Sequence, residues 1–160
     1  MDKVKVYFAH PIVGISEENR RRHERIKDKL ELAGFDVYDP AKMKVENANG
    51  MTMREWGACV FDNDMKQIRS ADWIVCCDHG RQSTGGTAFE MGFAYGIKKH
   101  IWSIDMSQKK DFSLMTYFGC HYRVHYSSFL DFDKEWLRTH WMMNAYEMFN
   151  GDKYAQFTLN

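Results

Sequence analysis

The sequence has no excess charge of either sign and no long apolar run. Its 22 lysines and arginines equal its 22 aspartates and glutamates, so no global field would attract a nucleic acid polymer or an anionic membrane surface. An anionic ligand must therefore be held by a local site. No apolar run approaches the roughly 20 residues that are needed to cross a bilayer. We expect neither a nucleic acid polymer nor a membrane among the partners.

Cysteine is also scarce, with four residues in the chain: Cys59, Cys76, Cys77 and Cys120. Adjacent Cys76 and Cys77 in a strand would point to opposite faces, which suits neither a shared disulfide nor a shared metal. His121 and His125 lie close in sequence to the last cysteine, but no fourth ligand follows at zinc-like spacing. The chain also leads straight into a strand-like run, without a visible signal peptide. We expect reduced thiols, a cytoplasmic protein, and neither a metal nor another cofactor.

What the sequence does contain is a regular alternation of strand and helix patterns in a chain rich enough for a core, with 44% apolar and 15% aromatic residues. Five short β-rich runs occupy residues 4–9, 35–38, 71–77, 100–104 and 121–124. Helical patterns or short turns occupy residues 16–33, 54–70, 87–99, 112–118 and 129–149. Strands that alternate with helices form right-handed βαβ units and a parallel sheet. We predict an α/β, three-layer, flavodoxin-like fold with a five-stranded parallel sheet, in a single domain over residues 1–160.

The predicted topology also locates a ligand site. The run at 71–77 is the most hydrophobic strand candidate and should be central in the sheet. Ligands of such folds bind outside the carboxyl ends of the strands, near the switch point of the sheet. The loops that end there follow the first and third strands and carry Tyr7 to Pro11, including Ala9 and His10, and Asp78 to Gly86.

A segment rich in glycine and hydroxyl groups, residues 83–87, precedes the third helix pattern. Such residues at a strand-to-helix junction expose backbone N–H groups to an anion at the helix N-terminus. The residues alone leave two interpretations open, a phosphate-binding loop or two glycines that merely turn the chain. Glu90 follows in the first predicted turn, where it suits a partner of the helix dipole as well as a nucleophile.

Segments between residue 4 and about residue 120 resemble the nucleoside 2-deoxyribosyltransferase family. They read VYFA at 6–9, SADWIV at 70–75, GGTAFEMGFA at 85–94 and SLM at 113–115. The resemblance implies the same three-layer fold. It also implies that the SLM loop, with Ser113 and Met115, reaches into the pocket of a neighbouring subunit. We therefore expect a homodimer or higher homo-oligomer with shared active sites.

The resemblance further implies roles for four residues. Glu90 would be the nucleophile that attacks C1′ of the sugar and forms a glycosyl ester, and Tyr7 would hydrogen-bond it. Asp72 would face the leaving base and manage its proton, while Asp64 would support the site from the preceding helix. The chemistry suits these residue types, because one carboxylate can trap an oxocarbenium-like state while another serves proton transfer.

Two positions depart from the family's nucleoside transferases. Those enzymes carry an Asp six residues before the nucleophile, which binds the sugar 5′-OH, and an Asn in the loop from the neighbouring subunit. This chain has Thr84, beside Ser83, at the first position and Ser113 at the second. The branch that hydrolyses nucleoside 5′-monophosphates is similar at both points. Hydroxyls and the Gly86 N–H would donate to a phosphate, which a carboxylate would repel. For Arg81 two interpretations stay open, a counter-charge to the phosphate or an ordinary surface residue.

These observations favour an enzyme that acts on a small nucleotide. We expect cleavage of the N-glycosidic bond of a 2′-deoxynucleoside 5′-monophosphate through a glycosyl-Glu90 intermediate that water resolves. The first alternative is a deoxyribosyltransferase, in which a second base resolves the same intermediate. The second is a non-enzymatic nucleotide sensor, although a sensor would not need both Asp72 and Glu90.

Overall fold

Five parallel strands form a sheet in this computed structural model, which describes residues 2–82, 85–107 and 113–144. The strands are β1 (Lys5–Ala9), β2 (Asp36–Tyr38), β3 (Trp73–Asp78), β4 (His100–Asp105) and β5 (Tyr122–His125). Their order is β2-β1-β3-β4-β5, and every neighbouring pair is parallel. The predicted α/β fold with a five-stranded parallel sheet is confirmed, and β3 is its central strand.

Helices cover both faces of the sheet. They are α1 (Glu17–Leu32), α2 (Met53–Ser70), α3 (Gly85–Gly96), α4 (Leu114–Phe118), α5 (Tyr126–Asp131) and α6 (Lys134–His140). Short 3-10 turns occur at Pro40–Lys42, Ala48–Gly50 and Gly80–Gln82. No helix in the described part of the chain is both long and apolar enough to cross a membrane.

The alternation of side chains along β1 distributes its residues between two cores. Val6 and Phe8 pack on the face that α1, α5 and α6 cover. Tyr7 and Ala9 point to the opposite face, where α2 and α3 pack. Successive residues of a strand point to opposite faces, so this phase of β1 decides that Tyr7 reaches the α2–α3 side. The helices on each face and the sheet between them make the predicted three layers.

Local signals account for several boundaries. The Ser16 side chain caps α1 by accepting from the Asn19 N–H at 3.2 Å. Gly34 lies in the connection from α1 to β2 and has a φ of +93°, a conformation that favours glycine. Thr52 and Glu55 form a reciprocal capping box at the start of α2.

Two predicted features differ from the structure. The helical pattern predicted over 129–149 is interrupted, because Asp133 caps a separate helix by accepting from the Trp136 N–H at 2.7 Å. The large apolar side chains of this pattern predict a stripe that contacts the core or another subunit: Trp136, Trp141, Met142, Met143, Tyr146 and Phe149. Trp136, Trp141 and Met143 pack against the core, whereas Met142 is exposed. Tyr146 and Phe149 lie outside the described residues.

The buried face of α2 also differs from the predicted one. In the sequence, Trp56, Val60 and Ile68 recur at four- and eight-residue offsets and predict an apolar line along this helix, with Asp64 as an interruption. Trp56 is 42% exposed, and the buried residues of α2 are instead Asp64, Met65 and Ile68. Asp64 is therefore part of the buried face that packs toward the sheet.

Candidate active site

A hydrogen bond between β1 and α3 forms the centre of the candidate site. The Tyr7 hydroxyl donates to Glu90 Oε1 at 2.9 Å, and the Tyr7 side chain is fully buried. Helix α3 begins at Gly85, so Glu90 is its sixth residue and lies beyond the first turn. The effect of the helix dipole falls off within that turn, so a capping role does not explain a carboxylate at this depth.

The environment of Glu90 raises the pKa of its carboxyl group from 4.5 to about 7. Burial is the largest cause, and repulsion from Asp64 adds to it. The Tyr7 hydrogen bond and the nearby His10 oppose this rise because they favour the charged form. A carboxyl group with such a pKa is present in both ionisation states at neutral pH, and perturbed pKa values of this kind are typical of functional sites.

A second carboxylate, Asp64, lies close enough to Glu90 to raise its pKa. The Tyr38 hydroxyl donates to Asp64 Oδ1 at 3.3 Å, and Asn63 Nδ2 donates to the Tyr38 oxygen at 2.6 Å. Burial raises the pKa of Asp64 against the hydrogen bonds of Tyr38 and Asn63, which lower it. Burial and the neighbouring Asp64 raise the pKa of Tyr38 to about 12, so this phenol stays protonated and can donate.

The structure does not bring Asp72 together with Glu90. Asp72 immediately precedes β3, at the amino edge of the sheet, and Asp72 Oδ2 accepts the backbone N–H of Lys5 at 2.8 Å. The electrostatic partners of the Glu90 carboxyl are Tyr7, Asp64 and His10. The role predicted for Asp72, at the leaving base, therefore has no geometric support, and Asp64 is the carboxylate that shares the site.

Two residues at the carboxyl end of β1, Ala9 and His10, have different surroundings. Ala9 is fully buried in the core beneath α2 and α3, so it borders the site without an exposed side chain. His10 Nε2 lies 2.8 Å from Asp39 Oδ1, and its Nδ1 lies 3.1 Å from the Pro11 carbonyl oxygen. Burial alone would raise the pKa of Asp39, but His10 and Lys27 hold it below its usual value.

A cavity of about 200 Å³ adjoins His10 on the α1 side of the sheet. Its wall includes the buried His23, whose ring lies 4.9 Å from that of His10. His23 Nε2 lies 2.8 Å from His79 Nε2. Burial, together with the neighbouring His10 and His79, lowers the pKa of His23 to about 3. No sequence pattern marks this histidine cluster, because its members meet only in the fold.

The predicted 5′-binding segment is described in part. Ser83 and Thr84 lie outside the described residues. Gly86 stands exposed in the first turn of α3, and Arg81 is exposed. Ser113 precedes α4 and is partly buried, and its side chain makes no capping hydrogen bond.

A buried ion pair that no sequence motif predicts connects the loops around this segment. Asp78 accepts from the Gly80 N–H at 2.9 Å and from the Thr116 hydroxyl at 3.0 Å. Arg123 Nη1 donates to Asp78 Oδ2 at 2.7 Å and to the Ser103 hydroxyl at 2.9 Å. These bonds join the carboxyl ends of β3 and β4 to β5 and α4. The only available signal was one acidic residue at a strand end.

Large apolar side chains are exposed beside the site. Met115 is 83% exposed and Leu114 is 63% exposed on α4. Phe61 of α2 and Phe89 of α3 are each about half exposed, and their ring centroids lie 5.8 Å apart.

Within residues 2–82, 85–107 and 113–144, no cluster of three or more His, Cys, Asp or Glu side chains is arranged to hold a metal ion.

Comparisons with known proteins agree with this architecture. The model of the nucleoside 2-deoxyribosyltransferase family matches residues 6–127. An uncharacterized protein of Ureaplasma parvum is 26% identical over an alignment of 106 residues that covers 62% of this chain and 64% of that relative. The chain thus spans less than two thirds of this relative.

Solved structures share the fold. The 2-deoxyribosyltransferase of Bacillus psychrosaccharolyticus is 24% identical with a TM-score of 0.65, over 81% of this chain and 93% of that one. The CMP N-glycosidase of Clostridium botulinum is 16% identical with a TM-score of 0.54, over 79% and 93%. A conserved protein of Enterococcus faecalis is 17% identical with a TM-score of 0.61, over 81% and 96%.

Proposed function

Because the chain belongs to the nucleoside 2-deoxyribosyltransferase family, we propose that it cleaves the N-glycosidic bond of a 2′-deoxynucleoside 5′-monophosphate. The observation that carries the proposal is the partly buried Glu90 carboxyl group, which accepts a hydrogen bond from Tyr7 and has a pKa of about 7. The reaction passes through a covalent glycosyl-Glu90 ester, which water then resolves.

Glu90 acts as the nucleophile in its ionised form. Tyr7 occupies Oε1, which leaves Oε2 to bond with C1′ while the C1′–N bond breaks and the base departs with the electron pair. Burial raises the pKa of Glu90, so the carboxylate is poorly stabilised by its surroundings and is reactive toward an oxocarbenium-like centre.

Asp64 handles the proton in both halves of the reaction. In its protonated form it donates to the leaving base, and burial favours that form by raising the pKa of Asp64. The resulting carboxylate then accepts a proton from the water that attacks C1′ of the ester. Glu90 leaves as a carboxylate, the sugar phosphate is released, and Asp64 regains its proton. This assignment transfers to Asp64 the role predicted for Asp72.

Recognition of the 5′-phosphate rests on the hydroxyl residues at three positions. Ser83 and Thr84 precede α3, and Ser113 belongs to the loop that is offered to a neighbour. Each charge-assisted hydrogen bond is worth roughly 1.5–3 kcal/mol. Losing two of them should reduce catalytic efficiency on the order of a hundredfold or more. A deoxynucleoside 5′-monophosphate should therefore be cleaved far better than its nucleoside, and Thr84→Asp should reverse part of this preference.

We further propose that the active protein is a homo-oligomer with shared sites. The exposed Leu114 and Met115 beside Ser113 would be buried against the neighbouring subunit. Mixing Glu90→Ala with a Ser113→Ala variant should recover activity, because hybrid sites combine an intact Glu90 with an intact Ser113. Mixing each variant with itself is the control. A monomer that is fully active in solution would contradict shared sites.

The alternative activity, deoxyribosyl transfer, is favoured by the family itself and by the similarity to the 2-deoxyribosyltransferase structure. Transfer and hydrolysis use the same Glu90 ester and differ only in the acceptor. In transfer, the nitrogen of a second base attacks C1′ of that ester in place of water.

Product analysis separates the two activities. Nucleosides and their 5′-monophosphates, in the deoxy and ribo series and including CMP, should be incubated with and without a free acceptor base. The proposed hydrolase releases base and sugar phosphate from deoxynucleotides at a rate that does not depend on the acceptor. Formation of a new nucleoside from a free nucleoside and the added base would mean that the activity is deoxyribosyl transfer and not hydrolysis. No cleavage of any substrate would refute both.

A further inference from the structure

We propose that Tyr38 is a positioning residue: its hydroxyl, oriented by Asn63, fixes the orientation and ionisation of the Asp64 carboxyl group. The inference extends the proposed function, since its catalytic consequence depends on Asp64 handling the proton. Neither Tyr38 nor Asn63 was marked by the sequence motifs.

The two site tyrosines form a matched pair across neighbouring strands. Tyr7 of β1 and Tyr38 of β2 are register partners, and their rings stack with centroids 5.6 Å apart. Tyr7 donates to Glu90, and Tyr38 donates to Asp64. Each carboxyl group of the candidate site therefore has one oxygen held by a phenol, which leaves its second oxygen for substrate.

Asn63 determines the direction in which Tyr38 donates. Its Nδ2 donates to the Tyr38 oxygen at 2.6 Å, and an amide nitrogen can only donate. The phenol proton must therefore point away from Asn63, and Asp64 Oδ1 is the acceptor within reach at 3.3 Å. The chain of hydrogen bonds runs in one direction, from Asn63 through Tyr38 to Asp64.

The charges around Asp64 show why this donor matters. The titratable groups that face Asp64 are Tyr38 from β2, Tyr7 from β1 and Glu90 from α3. Two carboxyls and two phenols share the site, so ionising Asp64 is opposed by Glu90 whenever Glu90 is charged. The hydrogen bond from Tyr38 favours the Asp64 carboxylate against burial. Removing the Tyr38 hydroxyl should consequently make Asp64 harder to ionise.

The test is the Tyr38→Phe variant of the full chain, with the titration of Asp64 followed by carbon-13 NMR of the carboxyl groups in the absence of substrate. The ring and its stacking on Tyr7 are retained, and only the hydroxyl is lost. We expect the Asp64 titration to move upward by about one pH unit, the effect of losing one hydrogen bond to a charged acceptor. The Asp64 resonance is assigned by its loss in Asp64→Asn.

Two further variants sharpen the result. Asn63→Asp has nearly the same shape but reverses the polarity, because the new carboxylate accepts the Tyr38 proton and adds negative charge. It should raise the Asp64 titration at least as much as Tyr38→Phe does. Tyr126→Phe is the matched control, since that buried hydroxyl has no hydrogen-bond partner among the described residues and lies on the α1 face of the sheet. It should leave the titration unchanged.

The pH profile of base release, measured on the same variants, separates this inference from the proposed function. If the NMR titration and one limb of the profile move together in Tyr38→Phe, both proposals are supported. A titration that moves while the profile does not would support the role of Tyr38 and count against Asp64 as the catalytic acid. If Asp64 titrates alike in wild type, Tyr38→Phe and Asn63→Asp, the inference about Tyr38 is overturned.

Discussion

Replacing Tyr7 with Phe tests how the protein sets the reactivity of Glu90. The substitution removes a hydroxyl that donates to Glu90 Oε1 at 2.9 Å and leaves the buried ring in place. The hydrogen bond favours the ionised carboxyl group, so its loss should raise the pKa of Glu90 above about 7. The nucleophile must be ionised, and Tyr7→Phe should therefore be impaired most at low pH.

The size of the effect follows from the hydrogen bond. A hydrogen bond to a charged acceptor is worth roughly 1.5–3 kcal/mol, which corresponds to about one to two pH units. At pH 7 about half of the wild-type Glu90 would be ionised, since its pKa is about 7. In the variant this fraction falls to about a tenth or a hundredth, so kcat/KM at pH 7 should fall about 5- to 50-fold.

The assay is release of free base from a deoxynucleoside 5′-monophosphate between pH 5 and pH 10. The acid limb of kcat/KM should move upward in Tyr7→Phe, and most of the lost activity should return at high pH. Tyr126→Phe again serves as the control, and circular dichroism establishes that both variants are folded. An acid limb that stays in place, with a loss that is equal at every pH, would refute the electrostatic role of Tyr7.

Three further predictions concern stability and the amino edge of the sheet. The folded-state pKa of Glu90 lies above its ordinary value, so the folded protein loses stability as pH rises from about 4.5 to about 7. Glu90→Gln should remove this loss and unfold in urea with up to about 3 kcal/mol more free energy at pH 8, and with little gain at pH 4. Arg123→Met should destabilise the fold by about 3–5 kcal/mol, because it removes the positive charge that pairs with the buried Asp78 carboxylate; adding Asp78→Asn should restore part of the loss. Asp72→Asn keeps an acceptor for the Lys5 N–H, so turnover should be unchanged; a selective loss of turnover would return Asp72 to the site.

The fold could be predicted because its signals are local. The central strand β3 is buried at all six positions, and six of its seven predicted residues are apolar. Ser16 and Gly34 mark the ends of the first helix region through capping and a positive φ. The strand boundaries differ from the predicted ones by one or two residues, because hydrogen bonding across the sheet decides which end residues pair.

The candidate site could be predicted only in part. Glu90 and Tyr7 were identified through the family resemblance. The residues alone are consistent with two roles for Glu90, a partner of the helix dipole and a nucleophile. The structure then places the two side chains within hydrogen-bond distance. The pairing depends on the phase of β1 and on where α3 begins, and neither is specified by the spacing of 83 residues between them.

The position of Asp72 at the amino edge of the sheet has a topological reason. All strands of the sheet are parallel, so a residue that precedes β3 lies at the edge opposite to the carboxyl ends where the loops converge. The sequence pattern puts Asp72 at the head of the predicted strand 71–77, and only the family resemblance assigned it a role at the leaving base. Tyr38 and Asn63 were missed for a different reason: their contact needs the register of β2 beside β1 and the rotation of α2 about its axis.

The most direct test of the central claim is mass spectrometry of the protein quenched in acid during turnover of a deoxynucleoside 5′-monophosphate. We expect an adduct with the mass of one deoxyribosyl phosphate on the peptide that contains Glu90, and no adduct in folded but inactive Glu90→Ala. An adduct on another residue, or near-normal turnover by Glu90→Ala, would contradict a glycosyl-Glu90 intermediate.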